Sequence, residues 1–346
     1  MVKMKKLKVF FGLVNYGTQA GILSEALRSL GIEAFSASYP DKYKRQIDFE
    51  FFFGGNLLHK AYKHFLNFVL RLYWFFHYNT FHFFYGTSLF PNNFDLPLYR
   101  IFGKKVVMQY LGSDIMDFEI AVLKYDFPVQ HRFVKEKHLR QDSRIIRLTR
   151  DIQYSDIQIV IAPIYQEFLP SAYLLPLAVD LQQFQYAKKK PGNTIRILHA
   201  PTDKLFKGTD LIQKSIDELI SEGYAIEFEI AENLSHDELK QKYIECDLFI
   251  DQLLSGWYGT ASIEAMAIGR PVLCFLDKTL LRKFEYSKLL PIINVTCNNL
   301  SFILKDLYSK KSEFDHIGIS SRKYVEVVHN SEIIAKKLNN MYRYIP

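Results

Sequence analysis

The chain has 346 residues, too many for one comfortable core and about right for two domains of roughly 150 residues each. Its composition, 49% apolar and 23% charged, excludes the disordered and fibrous classes. Forty-four Lys and Arg against thirty-seven Asp and Glu leave +7; this favours anionic partners, but no RNA- or DNA-binding signature accompanies it, so nucleic acid is not expected as a partner. Residues 7–14 form an apolar run ending in Asn15-Tyr16-Gly17-Thr18-Gln19-Ala20-Gly21, after which Leu23, Ala26, Leu27 and Leu30 recur at helical spacing up to Gly31. This reads as strand, glycine loop, helix. The run is too short and too strand-like for a secretion signal, and Arg71 interrupts the best candidate for a membrane span. Further strands are expected at 33–37, 80–85, 105–110 and 157–162, and their alternation with helical patterns implies a mostly parallel sheet.

The second half repeats the alternation. A strand at 195–198 is followed by Thr209 as the expected N-cap of a helix whose face is Leu211, Ile212, Ile216, Leu219 and Ile220, ending at Gly223. A strand at 225–230 leads to Ser235 and Glu238, spaced as a capping box that opens a helix to about Glu245. Strands at 247–251 and 271–276 flank a helix at 261–268 stopped by Gly269. Residues 177–192, with their run Lys188-Lys189-Lys190-Pro191-Gly192, are the expected hinge. A helical pattern from 321 to 344 carries a break near His329-Asn330. The expected organisation is therefore a first doubly wound domain over 1–180, a second over 190–320, and a terminal helix at 321–346 returning to the first. Cys246, Cys274 and Cys297 form no CxxC pair and fit a reduced compartment.

Ligands of open parallel sheets bind at the carboxyl ends of the strands, so two such sheets facing each other put the chemistry across one cleft. The most informative stretch there contains Tyr258-Gly259, Glu264-Ala265-Met266-Ala267 and Gly269-Arg270-Pro271-Val272 in a strand-turn-helix-turn-strand context. It resembles the C-terminal motif of retaining two-domain glycosyltransferases of the GT-B fold, of the group 1 or family 4 type. That resemblance implies an α/β protein of two Rossmann-like domains facing across a cleft. The activity implied is transfer of a sugar from a nucleotide-sugar donor to a glycan or lipid-linked acceptor, in surface polysaccharide or glycolipid assembly, with no metal and no other cofactor. It assigns Tyr258, Gly259, Thr260 and Glu264 to donor binding, Glu264 through the ribose hydroxyls. In physical terms a glycine turn lets backbone amides and a helix N-terminus approach a diphosphate. The family's earlier glutamate, eight positions before Glu264, falls on Gly256 here. Asp251 stands either as a substitute for it or as a strand-end acid capping the next turn.

His199-Ala200-Pro201-Thr202-Asp203-Lys204-Leu205-Phe206-Lys207-Gly208-Thr209 also resembles the family. By that likeness Lys207 neutralises the departing diphosphate and Lys204 accompanies it, the electrostatic task a metal performs elsewhere; no Asp-x-Asp motif occurs to hold one. Gly17 lies where the family brings a glycine turn against the donor. Asp114, in Gly112-Ser113-Asp114-Ile115, is expected either to orient or deprotonate an acceptor hydroxyl or to act as N-cap of the next helix. His199 reads as a satisfied structural histidine, and Ser262 lacks a Gly-x-Ser-x-Gly setting, so a hydrolase triad has no support. A nucleotide-sugar epimerase of the same fold and a catalytically silent nucleotide-sugar binder, the latter prompted by Gly256, are the alternatives.

Aromatics reach 15%, with 29 Phe and 22 Tyr, concentrated between Phe49 and Phe94. From Leu57 to Tyr78 the chain carries Lys60, Lys63 and Arg71 and no acid, and a second basic stretch holds Arg132, Lys135, Lys137, Arg140, Arg144, Arg147 and Arg150. These features fit either an interfacial helix on an anionic membrane surface or a core helix beside a solvated basic face. The expected location is the cytoplasm, peripheral on the inner face of the plasma membrane.

Overall fold

The computed structural model describes residues 6–117, 121, 124 and 141–344. These divide into two compact units, one of residues 6–117, 141–178 and 331–344 and one that includes 179–330. The first is built on a parallel seven-stranded sheet of β1 (Lys8–Gly12), β2 (Glu33–Ser38), β3 (Phe49–Glu50), β4 (Thr80–Phe84), β5 (Lys105–Tyr110), β6 (Ile157–Val160) and β7 (Tyr173–Leu174), in the order β3-β2-β1-β4-β5-β6-β7. Its central strands are continuous apolar runs because a parallel sheet is covered on both faces. The covering helices are α1 (Gln19–Ser29), α2 (Leu57–His77), α3 (Leu96–Ile101), α4 (Gln141–Tyr154) and the single turn α5 (Pro163–Gln166). Part of the aromatic excess fills this core: the Phe10 ring lies 5.1 Å from Trp74, 5.7 Å from Tyr78 and 5.8 Å from Phe81.

The second unit carries a parallel five-stranded sheet of β8 (Ile195–His199), β9 (Ile226–Ile230), β10 (Leu248–Ile250), β11 (Val272–Cys274) and β12 (Ile293–Asn294), ordered β12-β11-β10-β8-β9. Its helices are α6 (Lys204–Lys207), α7 (Thr209–Ser221), α8 (His236–Glu245), α9 (Thr260–Ile268), α10 (Lys278–Lys283), α11 (Leu300–Ser309) and α12 (Phe314–Val328). The capping box forms as spaced, Ser235 accepting from the Glu238 N–H while the Glu238 carboxylate accepts from the Ser235 N–H. Gly269 ends α9 in the left-handed region, at φ +90. Thr209 does not cap: its hydroxyl meets His199, and α7 starts after Gly208, whose φ is +77.

Residues 177–192, expected as a hinge, include a segment tied along the second unit. Ala187 N–H donates to the Ile268 carbonyl at 3.0 Å, Arg270 donates to the Ala187 carbonyl at 2.8 Å, and Arg322 donates to the Phe184 carbonyl at 2.6 Å. The change of unit falls at residues 178–179, and the return falls at 330–331. The terminal helical pattern is accordingly two helices, α12 in the second unit and α13 (Ser331–Tyr344) in the first. There α13 packs on α1, and its Tyr342 hydroxyl meets buried His82 Nδ1 at 2.6 Å. Gln109 Oε1 lies 2.8 Å from the other ring nitrogen, and burial pushes the imidazole down to about 3, so it is neutral.

Candidate functional site

In the second sheet the strand order reverses between β8 and β10, and such a switch point opens a crevice at the strands' carboxyl ends. Three sequence-predicted features converge there: the end of β8, the α6 loop and the start of α9. Asp203 begins α6, its carboxylate accepting from the Leu205 and Phe206 amides at 3.0 Å each. That turn carries Lys207 inward, where its ammonium pairs with Asp251 just past β10. The same carboxylate's Oδ2 accepts from the Gly259 N–H at 3.1 Å and from the Ser262 hydroxyl at 2.6 Å. Burial alone would raise the Asp251 carboxyl, but the Lys207 charge and these hydrogen bonds hold it below the usual carboxylate range. Asp251 is thus the strand-end acid that closes the next turn, and it binds β10, α6 and α9 together.

Gly259 is the N-cap residue of α9, and a Cβ placed there would lie 3.9 Å from Lys207 Nζ. Lysine ammonium and helix N-terminus therefore meet at one point, and the anion they hold in this structure is the Asp251 carboxylate. Glu264 lies one turn along α9, 5% exposed, with Oε1 2.9 Å from His236 Nε2 in the first turn of α8. His236 is a partner that sequence reasoning missed; the capping box put it in a first turn, but nothing linked it to a residue 28 positions away. Lys204 points to the unit's exterior, where it pairs with Glu232 at 2.7 Å. The Tyr258 side chain is buried, its hydroxyl 2.7 Å from that of Tyr324 and 3.2 Å from His329 Nε2. What Tyr258 offers the crevice is backbone and the lead into Gly259 and Thr260. His199 is structural: Nδ1–H donates to the Ile250 carbonyl at 2.8 Å, Nε2 accepts from Thr209 at 2.9 Å, and burial pushes it down to about 4.

Gly256 has φ +71, and its carbonyl accepts from the Asp277 N–H at 2.9 Å. A glutamate in that left-handed turn would carry a steric penalty. Among the described residues, no group of three or more His, Cys, Asp or Glu is arranged to hold a metal ion.

In the first unit Gly17 sits in a left-handed turn, φ +52, at the start of α1. Asp114, 2% exposed, follows β5, and its carboxylate accepts from Leu111 N–H at 3.0 Å and Gly112 N–H at 2.7 Å. It therefore closes the turn behind it; a helix ahead for it to cap would lie outside the described residues. Burial pushes its carboxyl up to about 6, a value suited to proton exchange near neutrality, and does the same to Asp151.

No protein-family model matches the sequence, and no curated protein does. Solved structures do. Sucrose-phosphate synthase from Thermosynechococcus elongatus superposes with a TM-score of 0.65 at 16% identity over 98% of both chains. A glycosyltransferase from Rickettsia africae gives 0.64 at 13% over 99% of both. HepE of Anabaena in complex with UDP-glucose gives 0.63 at 11% over 97% of this chain and 98% of that one. The chain has the GT-B fold. In that fold the Lys207, Asp251 and α9 cluster occupies the switch point of the second sheet, and Asp114 the end of a central strand of the first.

Proposed function

We propose that the protein is a retaining, metal-independent glycosyltransferase that moves a sugar from a nucleotide-sugar donor to a glycan or lipid-linked acceptor in the cytoplasm. The observation that carries this is the meeting of the Lys207 ammonium, fixed by Asp251, with the N-terminus of α9. As the bond between anomeric carbon and diphosphate breaks and the acceptor oxygen attacks, negative charge grows on the leaving diphosphate. A preorganised ammonium and helix amides stabilise that charge. Glu264, oriented by His236, is placed to take the ribose hydroxyls. The Gly17 turn is a secondary donor contact, Lys204 reaches the donor only by leaving Glu232, and Asp114 is the group to orient the acceptor or receive its proton. The reading is supported by GT-B structures solved with UDP-glucose and with UDP, and by the likeness to WaaG, a glycosyltransferase involved in lipopolysaccharide biosynthesis (11% identity, TM-score 0.53, 97% of this chain and 99% of that one).

The test is calorimetric titration of UDP-glucose and related sugar nucleotides into wild type and Glu264→Ala. Loss of charge-assisted hydrogen bonds to the ribose should weaken binding about 10- to 100-fold, with circular dichroism unchanged. Wild-type affinity in the variant would remove Glu264 from the donor site. Incubation with donor alone separates the epimerase alternative, which interconverts free sugar nucleotides and needs no acceptor.

A further inference from the structure

Helix α2 buries Trp74 and Phe75 and leaves Phe65 and Phe76 exposed, so the core reading holds for only part of it. The second basic stretch turns the other way. Its Arg132, Lys135, Lys137 and Arg140 lie outside the described residues, but Arg147 and Arg150 stand on α4, and that helix carries a charge into the first unit. Asp151, one turn after Arg147 and therefore on the same helix face, is 0% exposed.

The loop after β4 holds the Asp151 carboxyl by one oxygen. Asn93 donates from Nδ2 both to the Gly86 carbonyl at 2.9 Å and to Asp151 Oδ1 at 2.8 Å. The other oxygen, Oδ2, is buried and has no hydrogen-bond partner among the described residues. A Cβ at Gly86, where φ is +60, would lie 3.0 Å from that oxygen and 3.1 Å from Arg147 Nε. Carboxyl and guanidinium thus converge on one glycine, without Arg147 donating to Oδ2. The same corner is tied to Asp114. The Tyr85 hydroxyl meets the Ser113 hydroxyl, which joins the loops after β4 and β5 one residue before Gly86 and one residue before Asp114.

A carboxylate oxygen shut away from water without a donor is costly, and two buried carboxyls near one another resist both being ionised. Burial pushes Asp151 up to about 6; the Asn93 bond and the Arg147 charge oppose the rise, Asp114 adds to it, and Arg150 opposes it. Arg147 acts on Asp114 in the same downward direction. The other titratable groups facing the two carboxyls are Tyr110 at the end of β5 and Tyr165 on α5. Burial pushes both phenols above their ordinary range, so they are neutral. Asp95, before α3, connects through the Ser88 hydroxyl to Asn93, and burial raises it as well.

We propose that Asp151 is a positioning residue for Asp114, the two forming a buried acid pair at the carboxyl end of the first sheet with Arg147 as the cation they share. The inference rests on the reading of Asp114 as the group that faces the acceptor hydroxyl. In the transfer the acceptor O–H bond breaks as its oxygen bonds to the anomeric carbon, and the proton passes to ionised Asp114. The electron pair of the broken anomeric bond leaves with the diphosphate. Negative charge on Asp151 strengthens Asp114 as the proton acceptor, and Arg147 limits that strengthening so that Asp114 still ionises near neutrality.

The experiment is carbon-13 NMR of the full chain labelled at its aspartate carboxyls, titrated through the acid and neutral range without substrate, the two resonances assigned from Asp114→Asn and Asp151→Asn. In wild type both carboxyls should titrate above the ordinary range. Each Asn variant should weaken the proton affinity of the remaining carboxyl at least about threefold, and Arg147→Gln should strengthen both by a similar factor. With donor and acceptor present, the acid limb of kcat should move to lower pH in Asp151→Asn while KM stays unchanged. The proposal is overturned if Asp114 keeps its midpoint in Asp151→Asn, if Asp151 titrates in the ordinary range in wild type, or if the acid limb of kcat does not move. Should Asp151→Asn not fold, Arg147→Gln carries the test, and midpoints unmoved by loss of the shared cation overturn the proposal equally. Coupled titration with no sugar transfer from any nucleotide donor would uphold the acid pair and overturn the transferase reading instead.

Discussion

Each sheet ends a central strand on a buried aspartate, Asp114 after β5 and Asp251 after β10. Both carboxylates accept backbone N–H bonds, and burial pushes both upward. Yet Asp114 is pushed up to about 6, whereas Asp251 is held below the ordinary carboxylate range. The difference is a contacting ammonium: Lys207 touches Asp251, while Arg147 acts on Asp114 only as a weaker neighbouring charge. The same backbone setting thus yields a proton-exchanging acid in one unit and a fixed ion pair in the other, according to whether a cation is within contact.

Removing that cation is the strongest way to break the comparison. Lys207→Met leaves the Asp251 carboxylate buried and uncompensated, and should lower unfolding free energy by about 3–5 kcal/mol in urea titrations. Adding Asp251→Asn should recover part of the loss; a single variant as stable as wild type would show that the pair does not hold the site. For Asp114 the sign follows from its raised value, about 6 against an ordinary 3.8. Its contribution is complete below the lower value and lost as pH rises through the higher one. His82 and His199, depressed to about 3 and about 4, contribute in the opposite sense, losing stability as pH falls below 6.5. Asp114→Asn should therefore make stability climb more steeply between pH 4 and 6, by up to about 3 kcal/mol, measured as the pH dependence of the urea midpoint. An unaltered profile would place the raised titration elsewhere. Ser262→Ala removes one hydrogen bond to a charged oxygen and should cost about 1.5 kcal/mol, read from the same titrations; no loss would mean the hydroxyl bond is dispensable.

Sequence patterning outlined most of the scaffold, and the reasons for its gaps are local. The buried runs at 105–110 and 195–198 were legible because parallel strands are apolar on both faces, whereas β3, β7 and β12 span two residues each and leave no pattern. Lys207, Gly259 and Glu264 were singled out by the family resemblance. Their partnerships were not, because His236 reaches Glu264 across 28 residues, and Thr209, a good capping residue type, gives its hydroxyl to His199 instead. The aromatic density of α2 was plain, but apolar residues packed in a core and apolar residues facing outward are spelled alike.

The placement of α13 has a consequence for biosynthesis. The first unit takes its last helix from residues 331–344, after the whole of 179–330 has been threaded through the other unit. As the chain leaves the ribosome, the early strands must wait for that late segment before α1 gains its cover and His82 meets Tyr342. Truncation after residue 178 would yield an open-sided fragment, so recombinant dissection of this half calls for splicing the tail back on.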